Sequence, residues 1–429
     1  MSLNRPKTGG RTTHPGLLAS VQSSQSTGNA RRRFIQQAGA LATGTLAAPG
    51  LLLAQPAPIK VGVLLPLTGA VAFPGQQSRE GVQLAFEDIN GRGGIRSMGG
   101  AKLEALVADA QSQPQVGAAE VEKLHEAGVC AIVGPYASAI ALASTQAAAR
   151  YGIPCLLDEG VADQITSRGL TNVFRFGPSY EMAVKIGINN FHILNTLAGK
   201  PVRTVVIVHE ESLFGTGTAN TIARDLPALG YEVLEVIKHA NPTRDFSNIA
   251  LRIKARNPDV VMQANYLNEF ALLLRTLQQQ GVKPKVMYSI FGGGGSNPKV
   301  ARELGAAAEG ILDCNHWYNP KDKRGAALRM RAEKKGLTFT HELLMGYNAT
   351  MLLADGLERA KSARREAIVD ALSASTWSDH FMPYGATRFV NGQNQGAQPI
   401  VTQILKGEVR VVLPNTFAEA DPVFPTSRG

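Results

Sequence analysis

The segment 134–138, with the sequence Gly-Pro-Tyr-Ala-Ser, contains the residue types that can bind a free carboxylate. It lies between a short apolar run and an alanine-rich stretch that predicts a helix over 139–149. Backbone N–H groups at a helix start are already oriented, and the helix dipole favours negative charge there. A hydroxyl at the predicted N-cap makes Ser138 the first candidate site residue. The alternative is that Ser138 only caps its helix, which is worth about 1 kcal/mol.

Two further segments suggest binding chemistry. Residues 158–163, Asp-Glu-Gly-Val-Ala-Asp, follow the next apolar run, and Glu159 has two open interpretations: it binds a cationic ligand group, or it is solvated at the rim of a site. The four glycines at 292–295 are not a nucleotide-binding loop, because no Lys-Ser or Lys-Thr pair follows and Asn297-Pro298 interrupts the run. Glycines that give room to a ligand or to backbone are the better interpretation.

No pattern in the chain indicates catalysis. The histidines lack HExxH or closely paired spacing, and there is no nucleophile elbow, cofactor fingerprint or carboxylate pair at a defined spacing. We therefore expect a protein that is not an enzyme and has no metal and no cofactor. The run His209-Glu210-Glu211 is interpreted as cleft rim or solvated surface at a strand end.

Three cysteines, Cys130, Cys155 and Cys314, are too few and odd in number for a disulfide framework. Cys130 and Cys155 fall in apolar runs, where buried structural thiols are expected. Whether two of the three form a single bridge is left open.

The net charge of +10 is concentrated at the amino end, where residues 1–57 contain six basic and no acidic residues. The remaining +4 is interspersed with acids and has no aromatic-flanked patch, so nucleic-acid binding is not expected. Arg31-Arg32-Arg33-Phe34-Ile35 resembles a twin-arginine export motif, followed by a weakly apolar run at 38–54 that is too rich in Gly, Thr and Ala for a membrane anchor. The absence of a Cys near residue 54 favours a freely diffusing product over a lipid-anchored one. A disordered basic tail on a cytoplasmic protein is the alternative.

The elements that must position these residues alternate between short apolar runs and amphipathic segments, which predicts parallel sheets covered by helices. A helix over 78–90 places Val82, Ala85, Phe86 and Ile89 on one buried face. The predicted strands of the first half are 59–65, 103–108, 129–133, 153–157 and 173–176.

The same alternation of short apolar runs and amphipathic segments begins again after residue 200. The segment 129–154 and the segment 260–284 both run strand, loop with a tyrosine, long helix, then glycine and proline. Two similar α/β units predict two lobes that face each other. Strands are expected at 204–208, 232–237, 259–262, 285–289 and 309–312; helices at 217–229, 246–256, 321–335, 341–360 and 365–374; and a hairpin at 398–405 and 408–413.

From residue 58 to 413 the chain resembles the periplasmic leucine/isoleucine/valine-binding proteins and their family of branched-chain amino acid and related binders. The matching segments occur in order: IKVGVLLPLTG at 59–69, GVQLA at 81–85, NGRGGI at 90–95, IVGPYAS at 132–138, VFR at 173–175, FGTG at 214–217 and TRDFS at 243–247.

The resemblance implies a type I periplasmic-binding fold, with two Rossmann-like lobes joined by three hinge crossings and closing on a ligand. We place the crossings near 176–178, 312–316 and 384–388. The signal and tail are then 1–57, the first lobe 58–177 plus 315–386, and the second lobe 178–314 plus 387–429.

In that family a serine matching Ser138 holds the ligand carboxylate, and a threonine after the next strand supplies a second hydroxyl. Here that position is Val161, and the segment 289–295 lacks the acid that usually pairs with an amino acid's ammonium. These departures leave amino acids, small carboxylates, aromatic acids and amides open as ligands. Ten ligand-binding residues are expected: Phe73, in the loop after the first strand, Tyr136, Ala137, Ser138, Glu159, Gly160, Val161, Phe214, Tyr266 and Phe291.

The implied function is that of a monomeric, periplasmic solute-binding component of an ABC importer, with a small-molecule ligand and membrane permease subunits as partners. A ligand-sensing receptor or regulatory protein of the same fold is the main alternative, and an enzyme a minor one.

Overall fold

The computed structural model of the protein describes residues 56–426. The basic and apolar segments predicted as an export signal lie outside these residues. Within them, strands and helices alternate as the apolar periodicity predicts. The strands are β1 (Ile59–Leu65), β2 (Leu103–Asp109), β3 (Ala131–Val133), β4 (Cys155–Leu157), β5 (Val173–Arg175), β6 (Thr204–Glu210), β7 (Glu232–His239), β8 (Val260–Ala264), β9 (Val286–Ile290), β10 (Leu312–Asn315), β11 (Phe389–Val390), β12 (Gln393–Asn394), β13 (Ile400–Leu405) and β14 (Glu408–Leu413).

Most of the helices lie where the sequence predicts them. They are α1 (Ala72–Gly91), α2 (Pro114–Glu126), α3 (Ser138–Ala149), α4 (Tyr180–Leu197), α5 (Leu213–Asp225), α6 (Ser247–Arg256), α7 (Leu267–Gln279), α8 (Pro298–Leu304), α9 (Lys323–Lys334), α10 (His341–Ala360) and α11 (Arg365–Ser373). Helix α1 begins six residues earlier than expected, because Pro74 in its first turn is compatible with a helix start. Phe73 therefore lies in a helix, and its predicted place in a loop is wrong.

Two seven-stranded sheets organise the described residues, and the first has the order β11-β12-β5-β4-β3-β1-β2. Strands β1 to β5 pair in parallel, and β12 joins β5 in parallel through Gln393 opposite Arg175. Strands β3, β4 and β5 are buried along their whole length, which explains their continuous apolar sequence.

The second sheet has the order β14-β13-β10-β9-β8-β6-β7, and its parallel part repeats the strand order of the first. The predicted internal similarity is confirmed, since β3-α3-β4 and β8-α7-β9 occupy equivalent places in the two sheets. The predicted hairpin is also confirmed: β13 and β14 pair in antiparallel fashion, and β13 joins β10 at the sheet edge.

The chain passes between the two sheets after β5, after β10 and before β13. The first two passages agree with the predicted crossings. The third was expected near 384–388, and this is wrong, because β11 and β12 still pair within the first sheet. Residues 389–394, which the predicted boundaries gave to the second lobe, belong to the first.

Helix α1 packs along α10, which returns from the second half of the chain to complete the first lobe. The two helices approach so closely that a Cβ on Gly81 would lie 1.9 Å from the Leu343 carbonyl oxygen. The predicted face of α1 is buried there, with Val82, Ala85 and Phe86 in the core. Close helix contact through small residues thus joins segments that are far apart in sequence.

Candidate functional site

The candidate site lies where the carboxyl ends of parallel strands from both sheets meet. In a doubly wound sheet, adjacent strands whose helices lie on opposite faces leave a crevice at their carboxyl ends, and ligands bind there. Both sheets have this arrangement beside their first strands, at β1 and β3 in one sheet and at β6 and β8 in the other.

One cavity at this position has an empty volume of about 250 Å³. Only about 20 Å³ of that space admits a water-sized group, far below the ~300–1,000 Å³ typical of sites for drug-sized ligands. The lobes therefore have to separate before a ligand can enter. Eight of the ten predicted residues line it, and they come from both lobes: Tyr136, Ser138, Glu159, Gly160, Val161, Phe214, Tyr266 and Phe291.

The two remaining predicted residues do not line the cavity. Ala137 is buried and is the N-cap of α3. The Phe73 ring packs against the apolar cluster of the second lobe, with Lys299 Nζ 4.3 Å from its centroid. Phe73 therefore contacts the opposite lobe instead of forming a wall of the cavity.

Ser138 was predicted as the N-cap, but Ala137 is the N-cap and Ser138 is the first residue of α3. Its hydroxyl does not cap the helix; Oγ accepts a hydrogen bond of 3.2 Å from the Ala162 N–H. The capping alternative is therefore wrong. The first N–H groups of a helix have no partner within the helix, so Ser138 presents a hydroxyl and the helix start to the same cavity.

Arg175 holds the loop that forms the cavity wall beside Ser138. Its guanidinium is buried and donates to the Gly160 and Ala162 carbonyls at 3.0 and 2.6 Å, and its Nε donates to Gln393 Oε1 at 2.7 Å. Burial lowers the pKa of Arg175 to about 10. The sequence signal for this role is the arginine that ends the apolar strand Val173–Arg175.

Glu159 is buried, with 6% of its surface exposed, so the prediction that it is solvated at a rim is wrong. Its Oε1 has no hydrogen-bond partner, and its Oε2 lies 3.8 Å from His341 Nε2. Removal from water, followed by the nearby Glu342 and Asp158 carboxyls, raises the pKa of Glu159 well above its usual range. The buried carboxyl therefore favours its protonated form unless a cation approaches it.

Two histidines behind the cavity were missed by the sequence analysis. The His316 ring stacks on Phe291 with centroids 4.8 Å apart, and neither of its nitrogens has a hydrogen-bond partner. Burial, then the neighbouring His341, lowers the pKa of His316 well below its usual value. His341 Nε2 also lies 3.4 Å from Glu342 Oε1. No spacing signal could have found this pair, because His316 follows β10 and His341 begins α10.

Aromatic side chains from both lobes meet across the cavity. The Tyr136 ring of the first lobe lies 6.1 Å from the Tyr266 ring of the second, and Phe214 lies 5.3 Å from Tyr266. Val161 adds an aliphatic surface where the family pattern has a threonine hydroxyl. The walls are thus apolar and aromatic, while Ser138 and Glu159 supply the polar groups.

The run His209-Glu210-Glu211 has a structural role at the start of α5. The Glu210 carboxylate accepts hydrogen bonds from the Ser212 N–H, the Ser212 hydroxyl and the Gly215 N–H, each 2.6 Å long. Both His209 and Glu210 are buried, so their predicted place at a rim or solvated surface is wrong; only Glu211 is exposed.

The glycines at 292–295 give room to neighbouring groups, as predicted. A Cβ on Gly294 would lie 2.1 Å from the Phe270 ring, and one on Gly295 would lie 2.8 Å from the Asp313 backbone nitrogen. The three cysteines are free and buried, and burial raises the pKa of the Cys130 and Cys155 thiols to about 12.

A larger groove lies on the second lobe, near the amino ends of β9 and β10, with Leu277, Val282 and Met287 in its wall. This is the opposite end of the strands from the cavity, so it does not share the ligand-binding position of a doubly wound sheet. Within residues 56–426, no three His, Cys, Asp or Glu side chains are placed to hold a metal ion. In the same part of the chain, no helix combines the length and apolarity needed to cross a membrane.

Two α/β lobes that bring the carboxyl ends of their strands to one cavity define a two-lobed binding protein of the type I periplasmic-binding fold. The profile of the periplasmic binding protein family matches residues 58–407, and the chain belongs to that family. The resemblance found in the sequence is thereby confirmed. The members of this family are periplasmic binding proteins.

Among curated relatives, the Leu/Ile/Val-binding protein homolog 8 of Brucella abortus (strain 2308) is 28% identical over 380 residues, which cover 85% of this chain and 92% of the relative. The structure of the branched-chain amino acid transporter substrate binding protein LivJ from Streptococcus pneumoniae, in complex with isoleucine, matches with a TM-score of 0.72 and 20% identity over 83% of this chain and 100% of that one. An ABC transporter solute binding protein from R. palustris, in complex with benzoate, matches with a TM-score of 0.72 and 19% identity over 83% and 95% of the two chains. The fold is therefore shared across proteins with different ligands.

Proposed function

We propose that this protein is the exported, monomeric solute-binding component of an ABC importer and captures a small carboxylate-bearing ligand between its lobes. The observation that carries this proposal is a cavity lined by residues from both lobes at the carboxyl ends of their strands. Family membership supports a periplasmic location, and the arginine motif at 31–33 supports export by the twin-arginine route. The partners are then membrane permease subunits.

The carboxylate binds at Ser138, where the start of α3 and a hydroxyl face the cavity. A negative group is favoured at a helix N-terminus by the oriented N–H groups and the dipole. Isoleucine and benzoate, the ligands of two proteins with this fold, share a carboxylate and an apolar body. The aromatic walls suit such an apolar body.

Capture follows from the two-lobed arrangement. Ligand binds first to Ser138 in the first lobe, and rotation of the second lobe then brings Phe214 and Tyr266 over it. Contacts made only in the closed state stabilise that state, which the permease then recognises. A thermal-shift screen of the purified chain against amino acids, aliphatic and aromatic acids and amides tests this function, because a ligand raises Tm by mass action.

Replacing Ser138 with Ala should raise the Kd of the identified ligand about 10- to 100-fold, the loss expected for one hydrogen bond to a charged group. Isothermal titration calorimetry measures this change. Ser167→Ala, an exposed serine of the same lobe, is the matched control and should leave Kd unchanged. A Kd for Ser138→Ala within about twofold of the parent would place the carboxylate elsewhere.

A further inference from the structure

We infer that Glu159 receives a positively charged nitrogen of the ligand, so that the ligand is an ammonium carboxylate and not a simple carboxylate or an amide. This inference rests on the proposed function and adds a second recognition group to it. It also assigns to the first lobe an acid that the family pattern places in the second.

The position of Glu159 carries the inference. Its side chain lines the cavity, is nine-tenths buried, and leaves Oε1 without a hydrogen-bond partner. A buried carboxyl oxygen without a partner costs free energy unless something else satisfies it, and the cavity is the space that it borders. A ligand N–H group placed there would supply the missing partner.

The charges around Glu159 favour a cation over an anion. Asp158 and Glu342 are buried beside it, and the Glu342 Oε2 also has no partner. No Lys or Arg is among the described residues that line the cavity. The guanidinium of the nearby Arg175 is already occupied by the loop carbonyls and Gln393.

His341 lies beside the Glu159 carboxyl. Its Nε2 lies 3.8 Å from Glu159 Oε2 and 3.4 Å from Glu342 Oε1, so it lies between the two acids. The other oxygen of Glu159, Oε1, is left without a partner. Of the two oxygens in this pair that lack a partner, Glu159 Oε1 belongs to the side chain that lines the cavity.

The aromatic walls support the same ligand class. Tyr136, Phe214, Tyr266 and Phe291 line the cavity together with Glu159. Aromatic faces attract cations, and several rings around one acid form a typical environment for an ammonium group. The second lobe's segment 289–295 contains no acid, which leaves Glu159 as the acid in the wall of the cavity.

Matched pairs of compounds that differ by one amino group test this inference on the full chain. The probes are L-leucine with 4-methylpentanoate, L-phenylalanine with 3-phenylpropanoate, and 4-(aminomethyl)benzoate with 4-methylbenzoate. We expect the aminated member of at least one pair to bind at least 10-fold more tightly than its partner. The readouts are thermal shift followed by calorimetry.

Glu159→Gln removes the negative charge and keeps the size of the side chain, and it should weaken binding of the aminated compound at least 10-fold. Glu126→Gln, at an exposed position at the end of α2, is the control and should have no effect. Far-UV circular dichroism and the Tm of the empty variant verify folding, and Glu159→Ala provides a second variant.

The outcomes separate the inference from the proposed function. Equal or tighter binding of the deaminated compounds would overturn the inference and leave solute binding intact. Binding of the aminated compound to Glu159→Gln within twofold of the parent would also overturn it, because a neutral hydrogen-bonding group would then suffice. Binding of none of the compounds would count against both the inference and the proposed function.

Discussion

Arg175 shows how a single buried charge shapes the site. Its guanidinium donates to the carbonyls of Gly160 and Ala162, on either side of the cavity-lining Val161. Ser138 is fixed to the same loop through the Ala162 N–H. Arg175 is therefore a positioning residue that connects the strand end, the loop and the Ser138 hydroxyl.

Arg175→Met should destabilise the protein by about 3 kcal/mol or more, because it leaves buried carbonyl groups without donors. It should also weaken ligand binding, since the 160–162 loop loses its support. Urea unfolding and calorimetry measure the two effects. Arg388→Met, an exposed arginine, is the matched control. Parental stability in Arg175→Met would show that the loop is held by other contacts.

The types and order of the site residues were predictable because each follows an apolar strand of a repeated pattern. Tyr136, Glu159 and Tyr266 could be placed in this way. His316 and His341 could not, because they meet only when α10 packs behind the first sheet. The burial of Glu159 was also not predictable, since a single acid after a strand is equally compatible with solvent.

The strands and helices themselves were largely predictable from periodicity, and the errors are at their ends. Strand β3 begins two residues later than expected, because the Val129 N–H donates back to the Leu124 carbonyl of α2 and not to a neighbouring strand. The short strands β11 and β12 have no apolar alternation, so their place in the first sheet depends on contacts with β5. Tertiary pairing determines such segments, and local sequence does not.

Asp259 joins three strands of the second sheet near their amino ends. It accepts hydrogen bonds from the Arg203 and Thr204 N–H groups at 2.8 and 3.0 Å, and Lys285 Nζ lies 2.7 Å away. Burial acts to raise the pKa of Asp259, but these partners outweigh it and lower the pKa to about 2. The ionised form is therefore the one that stabilises the sheet.

Asp259→Asn should lower the free energy of unfolding by about 1–2 kcal/mol at pH 7. Because the folded pKa lies below the unfolded value of about 3.9, this contribution is complete above that value and is lost as the pH falls toward about 2. Thermal unfolding of the two proteins from pH 7 to pH 2 measures the difference, with the exposed Asp421→Asn as control. If the stability difference between the parent and Asp259→Asn did not change with pH, the lowered pKa of the Asp259 carboxyl would not be its cause.

The two lobes also touch outside the cavity. Phe73 at the start of α1 packs against the apolar cluster of the second lobe, and Lys299 of α8 lies over its ring. Such a cation–π contact is worth about 0.5–1 kcal/mol at a partly exposed position. A contact across the lobes adds to the affinity if it is lost when the cleft opens.

Lys299→Gln should therefore raise the ligand Kd about 2- to 5-fold, mainly through faster dissociation. Stopped-flow binding and dissociation measure this change. Lys283→Gln, an exposed lysine of the same lobe, should bind like the parent. An unchanged dissociation rate in Lys299→Gln would show that the contact persists in the open state.

The packing of α1 against α10 also sets an order of folding during synthesis. The five parallel strands of the second lobe are contiguous in the chain, from Thr204 to Asn315, whereas α1 must wait about 250 residues for α10. At the ~5–20 residues per second of translation, that wait lasts roughly 10 to 50 seconds. The parallel strands of the second lobe are thus all synthesised before the first lobe receives α10. During this interval the apolar face of α1 is the surface on which a chaperone would act.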